Sequence, residues 1–261
     1  MKLDANEGSR PCPQSLSSFR QTPAASLASY PNAAALEAAL AKNWQLQSDQ
    51  VLVGAGGDDI IDRFTRAYCG PQKQLLIASP TFEMFQRGVD LAGGQLKEIP
   101  WQGSFPGAQI LQNVDPQNSA IAIISPNNPS GEVIQRQELQ AICENFNGPI
   151  LLDAAYGEFA DEDLSCFALQ YPQVIVLKTF SKARALASLR VGYALGSKTN
   201  IALLRRCGMP FPVAQPCLDA ALASLQSDSA LQKCVKQVRS ERDRLQKLLR
   251  GYGFKPTQSA A

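Results

Sequence analysis

The chain has 261 residues, 45% of them hydrophobic, and its 25 Lys and Arg residues nearly balance its 23 Asp and Glu residues. Such a length can bury one large core or two modest ones, and nothing in the composition is typical of fibrous or disordered proteins. A net charge of +2 without a basic block does not indicate a nucleic-acid partner, so small-molecule ligands are expected. The lack of histidine in the sequence excludes Ser-His-Asp and Cys-His catalysis and a histidine-ligated metal.

Seven cysteines are scattered along the chain without a CxxC pair. This pattern favours reduced thiols over a disulfide framework or a zinc finger. The N-terminal stretch lacks the apolar core of a signal peptide, and no window approaches about eighteen apolar residues. The sequence therefore predicts a cytoplasmic protein without a membrane partner.

The first part of the chain predicts an arm, a helix and a strand–turn–helix unit. Residues 1–31 are rich in proline, serine and alanine without a sustained period, so we expect an extended arm that ends at Tyr30-Pro31. An alanine-rich helix follows, with Asn32 as its N-cap and an end near Leu46. Residues 51–53 are a short apolar strand that runs into a glycine turn, and apolar residues at helical spacing come next.

Short apolar runs then alternate with helical patterns. Strands are predicted at 75–78, 95–100, 120–125, 150–153, 174–178 and 191–195, and helices at 82–91 and 136–145. Continuous apolar strands between helices indicate an α/β protein, a three-layer α/β/α fold with a mostly parallel sheet of the seven-stranded type.

From residue 199 onward the sequence becomes mainly helical, with an amphipathic stretch over 230–252. The chain therefore divides into an arm over 1–31, a large α/β domain over 32–208, and helices over 209–261 that begin a smaller domain. The last residues stop where a further strand is expected, so this small domain is predicted to be incomplete.

Residues 54–59 form a glycine turn, GAGGDD, between a predicted strand and a helix. Unpaired backbone N–H groups at the start of a helix bind phosphate. The turn resembles the dinucleotide fingerprint GxGxxG, but Asp59 stands where the third glycine belongs. We therefore expect a single phosphate group here, and a plain turn of small residues is the alternative.

Two further strand ends carry polar residues. The segment 125–131, SPNNPSG, contains two prolines and a glycine that fix the asparagines between them. An amide so held can donate to a ligand oxygen, although the segment is also compatible with a tight loop alone. Asp153 ends the next strand, and Tyr156 lies three residues further on. A buried acid needs a cationic partner, and a protonated pyridine nitrogen would serve.

Lys182 follows the end of a β-branched strand, in the sequence TFSK. Open α/β sheets bind ligands in the crevice beyond the carboxyl ends of their strands. A lysine in this position is either a solvated charge or a desolvated nucleophile, and the lysine alone does not decide between them. The polar residues at the other strand ends favour the nucleophile.

These motifs, in this order, resemble the class I/II aminotransferases of fold type I, which depend on pyridoxal 5′-phosphate. The resemblance rests on SPNNPSG, on Asp153 with Tyr156, and on TFSK followed by Arg190. The details LDANE at 3–7, Tyr30-Pro31, GDD at 57–59 and PFPVAQP at 210–216 look most like the histidinol-phosphate aminotransferase branch. The resemblance covers nearly the whole chain.

The resemblance implies a role for each residue that faces the cofactor ring. Lys182 would bind the cofactor as a Schiff base and then move a proton between Cα and C4′. Asp153 would keep the pyridine nitrogen protonated, which makes the ring an electron sink. Asn128 and Tyr156 would hydrogen-bond the ring oxygen O3′, and Phe82 would stack on the ring face.

The resemblance also implies a set of donors for the 5′-phosphate. Gly57 and Asp58 would contact it through their backbone N–H groups. The hydroxyl of Thr179 or Ser181 and the guanidinium of Arg190 would complete the set, since the planar fork of arginine suits phosphate.

Tyr30 would reach the cofactor phosphate of a neighbouring subunit, which implies a homodimer with shared active sites. The alternative is a tyrosine that packs beside Pro31. The implied reaction moves an amino group by a ping-pong route between an amino-phosphate such as L-histidinol phosphate and a 2-oxo acid such as 2-oxoglutarate, as in histidine biosynthesis.

The sequence departs from the family at both ends. Relatives continue beyond residue 261, where they supply the arginine for the substrate's acid group, and they carry an additional N-terminal arm segment. Gly8-Ser9 stands where relatives often have Asn-Pro. We therefore expect a complete cofactor site and an incomplete substrate site. The alternatives are a threonine-phosphate decarboxylase-like enzyme, a cofactor-binding fragment without catalysis and, from the 54–59 glycines alone, a nucleotide-binding domain.

Overall fold

The computed structural model describes residues 5–8 and 10–261, and among these a seven-stranded sheet forms the centre. Leu3 and Asp4 of the LDANE motif, and Ser9 of the Gly8-Ser9 pair, lie outside the described residues. The strands β1–β7 are Val51–Gly54, Gln74–Ser79, Gln95–Pro100, Ser119–Ile124, Ile150–Asp153, Val174–Thr179 and Gly192–Gly196. The helices α1–α11 are Pro13–Arg20, Ala24–Leu27, Ala34–Trp44, Gly57–Tyr68, Met84–Ala92, Gly107–Gln112, Arg136–Asn145, Ser165–Ala168, Lys198–Arg206, Gln215–Leu225 and Asp228–Gly251.

The sheet has the strand order β1-β7-β6-β5-β4-β2-β3. Strands β1 to β6 all run in the same direction, and β7 is antiparallel to both of its neighbours. The carboxyl ends of β1, β2, β4, β5 and β6 therefore meet at one edge of the sheet, where β7 begins. The predicted mostly parallel sheet is confirmed.

Each face of the sheet is covered by its own apolar cluster, which confirms the three-layer α/β/α prediction. Strands β4 and β6 are buried along their whole length, as strands between two helical layers must be. One face is packed by residues of α3, α6, α7 and α10, including Leu36, Leu40, Ile110, Leu139, Ile142 and Leu218. The other is packed by residues of α4, α5 and α9, including Ile60, Phe64, Phe85, Val89, Ile201 and Leu204.

The N-terminal arm differs from its prediction. Helices α1 and α2 occupy most of 13–27, where an extended chain was expected. Helix α1 has eight residues and is too short to be stable by itself, so tertiary contacts maintain it. The buried Ser15 hydroxyl donates to the carbonyl of Ala220 in α10 at 2.9 Å, and α1 packs along that helix. The local sequence does not reveal this distant partner.

Two helix starts lie slightly later than predicted. Helix α3 begins at Ala34, whose N–H donates to Asn32 Oδ1 at 2.9 Å, so Asn32 does cap the helix start from two residues before it. Helix α5 begins at Met84 instead of residue 82, and Phe82 therefore lies in the turn that follows β2. This later start of α5 places Phe82 at the edge of the sheet where the carboxyl ends of the parallel strands meet.

Helix α11 confirms the amphipathic pattern predicted for 230–252. On one side, Leu231 and Val235 pack beside Phe159 and Ala183. The same side continues to Leu245 and Leu249, which are exposed, as is the neighbouring Leu248. Residues 252–261 follow without regular structure, and the N–H of Ala260 donates to the carbonyl of Gly131.

All seven cysteines are free thiols. Within the described ranges, none of the helices has the length and apolar character needed to cross a membrane.

Candidate active site

The glycine turn joins β1 to α4 at the ligand-binding edge of the sheet. Gly56 has a φ of 84°, a left-handed conformation that favours glycine, and an added Cβ would lie 2.5 Å from Arg190 Nη2. A Cβ on Gly192 of β7 would lie 2.4 Å from the Gly56 carbonyl carbon. Glycine at both positions therefore lets β7 approach the turn, and the N-terminus of α4 lies beside Arg190.

Asp59, the residue that breaks the GxGxxG pattern, closes this turn. Its Oδ2 accepts the N–H of Ala55 at 2.9 Å, and its Oδ1 accepts Arg63 Nε at 3.0 Å. The fully buried Arg63 also donates to the carbonyl of Met209 at 3.0 Å. Sequence reasoning missed this pair, although the (i, i+4) spacing of an acid and an arginine is a recognised helical ion-pair signal.

Arg190 and Asp58 form an ion pair at the mouth of the site, with 3.0 Å between Nη2 and Oδ2. Both side chains are nearly half exposed, and an exposed pair contributes only about 0–1 kcal/mol. The guanidinium can therefore exchange this carboxylate for a phosphate at little cost. Arg190 itself has a left-handed φ of 49°, which directs the chain back into β7.

Two buried hydroxyl groups lie at the end of β6, one on its last residue and one two residues later. The oxygens of Thr179 and Ser181 are 3.0 Å apart, and the Ser181 N–H donates to Thr179 Oγ1 at 3.1 Å. This local turn holds both side chains at the strand end, where they can donate to an anion.

Asp153 ends β5 and is 5% exposed. Its Oδ1 accepts the N–H of Ala155 at 3.0 Å, and among the described residues no cation forms an ion pair with it. Burial raises the pKa of Asp153 to about 6, and the nearby Asp58 carboxylate contributes to the rise. A cationic ligand group would offset this cost.

Lys182 and Tyr156 line the same space as the first residues of α4. Lys182 Nζ donates to the carbonyl of Ala5 at 2.8 Å and is 5.3 Å from the centre of the Tyr156 ring. The Tyr156 hydroxyl accepts Asn6 Nδ2 at 3.1 Å. Asn6 belongs to the LDANE motif, but sequence reasoning gave this residue no role of its own.

The two asparagines of SPNNPSG have different surroundings. Asn127 is 3% exposed, and its amide nitrogen donates to the carbonyl of Pro80 and to Ser130 Oγ, both at 2.9 Å. The Thr81 hydroxyl donates to Asn127 Oδ1 at 3.1 Å. Asn127 therefore connects two loops, while Asn128 faces the ligand space.

A single cavity of about 350 Å³ brings these groups together, and its volume is typical of a small-molecule site. Ten of the residues singled out from the sequence line it: Gly57, Asp58, Phe82, Asn128, Asp153, Tyr156, Thr179, Ser181, Lys182 and Arg190. A second cavity of about 320 Å³ shares four lining residues with it: Asn6, Asn128, Tyr156 and Lys182.

Tyr30 does not line this cavity. Its side chain is 81% exposed, and its ring stacks on Phe211 with 4.7 Å between the ring centres. The predicted contact of Tyr30 with a neighbouring subunit stays a prediction.

The cavity fits pyridoxal 5′-phosphate chemically. Asp153, a buried acid that forms no ion pair within residues 5–8 and 10–261, faces the space, and a pyridinium nitrogen would be a cationic partner for it. The N-terminus of α4, the two hydroxyls and Arg190 form a group of donors for a phosphate. Lys182 supplies the amine that an aldehyde requires.

Comparison with known proteins gives a family match over the whole chain. The sequence model described as aminotransferase class I and II matches residues 1–261. The chain is 34% identical over 227 residues to histidinol-phosphate aminotransferase of Xanthomonas campestris pv. campestris, covering 82% of this chain and 63% of that protein. It is 30% identical over 246 residues to histidinol-phosphate aminotransferase 1 of Bacillus anthracis, covering 91% and 66% respectively. The chain thus spans about two thirds of the length of these curated relatives.

Solved structures share the fold. Histidinol-phosphate aminotransferase from Sinorhizobium meliloti, determined in complex with pyridoxal 5′-phosphate, superposes with a TM-score of 0.90 and 24% identity over 98% of this chain and 72% of that one. Aspartate aminotransferase from Thermus thermophilus superposes with a TM-score of 0.87 and 21% identity, over 98% and 74% respectively. At these identities the likeness shows the fold, that of the fold-type I enzymes.

Proposed function

Because the chain belongs to the aminotransferase class I and II family, which depends on pyridoxal 5′-phosphate, we propose that it carries the cofactor site of an aminotransferase. The proposed reaction moves an amino group between an amino-phosphate such as L-histidinol phosphate and a 2-oxo acid such as 2-oxoglutarate. One observation carries the proposal: Asp153, Lys182 and the N-terminus of α4 converge on one cavity. Relatives at 30–34% identity that are named histidinol-phosphate aminotransferase support the amino-phosphate substrate.

Three residues would surround the cofactor ring. When bound, pyridoxal 5′-phosphate supplies an electron-accepting ring that stabilises negative charge at the substrate Cα. The Asp153 carboxylate would hold a proton at the pyridine nitrogen, because its burial favours a close cationic partner. Asn128 and Tyr156 would donate hydrogen bonds to the ring oxygen, and both line the cavity.

The phosphate would lie at the N-terminus of α4. The backbone N–H groups of Gly57 and Asp58 are in the first turn of this helix, where N–H groups have no partner within the helix. Arg190 would exchange its exposed pair with Asp58 for the phosphate, and the Thr179 or Ser181 hydroxyl would add a further donor.

Lys182 would hold the cofactor and afterwards move the proton at the substrate Cα. Its ammonium group lies where the two cavities adjoin, together with Tyr156 and Asn6. An amine in this position can reach a group held in either cavity. The second cavity is accordingly the proposed substrate side, and its apolar wall includes Phe159 and Val238.

The proposed functional unit is a cytoplasmic homodimer in which Tyr30 of the partner subunit contacts the phosphate. Exposed aromatic side chains on Tyr30 and Phe211 support a partner surface there, since large apolar groups are seldom left in water together. The proposed domain division, 1–31, 32–208 and 209–261, leaves the cofactor groups in the large domain.

Covalent capture of the cofactor tests the proposal. Pyridoxal 5′-phosphate is added to the purified protein, its visible absorption is recorded, and borohydride reduction is followed by peptide mapping. We expect an absorption band and a fixed adduct on Lys182, both lost in Lys182→Ala, because the amine at this position forms the bond. Lys198→Ala, which removes an exposed lysine of α9, should retain them. An equally abundant adduct in Lys182→Ala would refute the site.

The same preparation distinguishes transamination from decarboxylation and from cofactor binding without catalysis. Histidinol phosphate should convert the cofactor to its amine form, and 2-oxoglutarate should restore it. Release of carbon dioxide from threonine phosphate would instead support the decarboxylase. If neither substrate alters the absorption of the bound cofactor, the chain binds the cofactor without catalysis.

A further inference from the structure

Lys178 is a fully buried cation that lines neither cavity. It lies on β6 between Leu177 and Thr179, which do line the cofactor cavity, and its side chain points to the other face of the sheet. Burial alone would lower the pKa of Lys178, but the neighbouring carboxylates of Glu158 and Asp163 outweigh it and hold the pKa above its usual range. Lys178 is therefore charged inside the protein.

The two carboxylates that form ion pairs with this cation belong to the segment that follows Asp153. Lys178 Nζ donates to Asp163 Oδ2 at 2.7 Å and is 3.3 Å from Glu158 Oε1. Glu158 lies in the short 3-10 turn Gly157–Phe159, and Asp163 accepts the N–H of Ser165 at the start of α8. One buried charge thus holds the loop that begins after Asp153 at two points, in its 3-10 turn and near its end.

Tyr156 is directly attached to this held segment. A Cβ added to Gly157 would lie 2.9 Å from Asp163 Oδ2 and 3.0 Å from Lys178 Nζ. The ion pair between Lys178 and Asp163 therefore lies so close to the backbone of Gly157 that no side chain would fit between them. A shift of the pair towards Gly157 would press on the backbone next to Tyr156, whose ring lies beside Lys182.

Other contacts hold the same loop from outside. Arg239 of α11 donates to the carbonyl of Phe159 at 2.9 Å. Arg136 pairs with Glu162, but their side chains are 48% and 52% exposed, so this pair contributes little. Lys178 is the buried cation of the set, and it lies against the backbone of Gly157, the residue next to Tyr156.

We propose that Lys178 is a positioning residue of the cofactor site, which holds Tyr156 in place through Glu158 and Asp163. This inference rests on the proposed cofactor binding, because the affinity for pyridoxal 5′-phosphate reports the position of the tyrosine. It assigns a function to a residue that touches neither the cofactor cavity nor the substrate side.

A double-mutant cycle tests the inference. The dissociation constant for pyridoxal 5′-phosphate is measured by absorbance for the unaltered protein, Lys178→Met, Tyr156→Phe and the double variant. We expect Lys178→Met to weaken binding about tenfold, and to weaken it less than about twofold when Tyr156 is already Phe, because coupled residues lose additivity. Lys178→Arg should recover most of the affinity. Arg136→Met, which removes the exposed pair between α7 and Glu162 of the same loop, is the control and should bind as the unaltered protein does.

Equal losses in both backgrounds would overturn the inference, since the lysine would then act on the site without Tyr156. If Lys178→Met does not fold, as judged by circular dichroism, Glu158→Gln replaces it in the same cycle and keeps the charge pair with Asp163. If the unaltered protein does not bind the cofactor, the proposed function fails. If the unaltered protein binds the cofactor tightly but the cycle shows no coupling between Lys178 and Tyr156, only the proposed role of Lys178 is contradicted.

Discussion

Asp153 is a carboxylate at the end of a buried strand, with the N–H of Ala155 as its donor among the described residues. Burial raises its pKa to about 6 from an ordinary 3.8. A raised pKa means that the folded state binds the proton more tightly than the unfolded state. The resulting stabilisation is complete below about pH 4 and is lost as the pH rises through about 6, an effect of roughly 3 kcal/mol.

Asp153→Asn should therefore stabilise the cofactor-free protein at neutral pH while weakening cofactor binding. We expect the free energy of unfolding at pH 7–8 to exceed that of the unaltered protein by up to roughly 3 kcal/mol, with the gap closing towards pH 4. Affinity for pyridoxal 5′-phosphate should fall at least about tenfold, because the neutral amide of asparagine does not stabilise the protonated pyridine nitrogen of the cofactor. Urea unfolding between pH 4 and 8 and absorbance titration measure the two effects.

The exposed Asp161 supplies a matched control for this experiment, and Asp161→Asn should alter neither quantity. A stability gap that is the same at every pH would show that packing, and not the charge, produces it.

The glycine turn is the element on which the phosphate donors depend. Backbone of the turn and backbone of β7 approach so closely that a Cβ on Gly192 would lie 2.6 Å from the Gly56 oxygen and 2.7 Å from the Gly57 nitrogen. The turn itself was predictable from GAGGDD between an apolar strand and a helical pattern. The need for glycine at 192 was not, because its neighbour is more than a hundred residues away in sequence.

Gly192→Ala should displace the N-terminus of α4. Overpacking against backbone should cost about 1–3 kcal/mol of stability, and the displaced N–H groups should weaken binding of the cofactor phosphate. Thermal unfolding and titration with pyridoxal 5′-phosphate are the measurements.

Gly70→Ala is the comparison, because a Cβ there meets no atom within 4 Å. If the two alanine variants bind the cofactor equally well, the close approach of β7 has no role in the site.

The whole molecule presents apolar groups that one chain does not cover. Leu27, Tyr30, Met209 and Phe211 are all more than half exposed, and the rings of Tyr30 and Phe211 stack. Such groups are typical of an interface, in keeping with the proposed homodimer.

Mixed dimers test whether Tyr30 serves a partner's site. Tyr30→Phe keeps the ring on Phe211 and removes only the hydroxyl, so we expect about tenfold weaker cofactor binding, the loss of one hydrogen bond to a charged group. In a mixed dimer of one Tyr30→Phe subunit and one Lys182→Ala subunit, one site is intact. It combines the Lys182 of the Tyr30→Phe subunit with the unaltered Tyr30 of the other subunit. Borohydride capture at limiting cofactor should then label the Tyr30→Phe subunit as strongly as the unaltered protein. Without such recovery, Tyr30 does not act across the dimer.

The sequence by itself determined the α/β class, the order of the seven strands, and the residue types at each strand end, because hydrophobic period and turn chemistry are local properties. The resemblance of its motifs to an aminotransferase family added the remaining site residues, and ten of the residues so identified share one cavity. Tertiary structure decided the rest: α1 exists because it packs on α10, and Asn127, not Asn128, connects the loops. The sequence predicts Lys178 only as part of an apolar strand, and the fold brings it to Glu158 and Asp163, since a buried charge is stable where another chain segment supplies its partners.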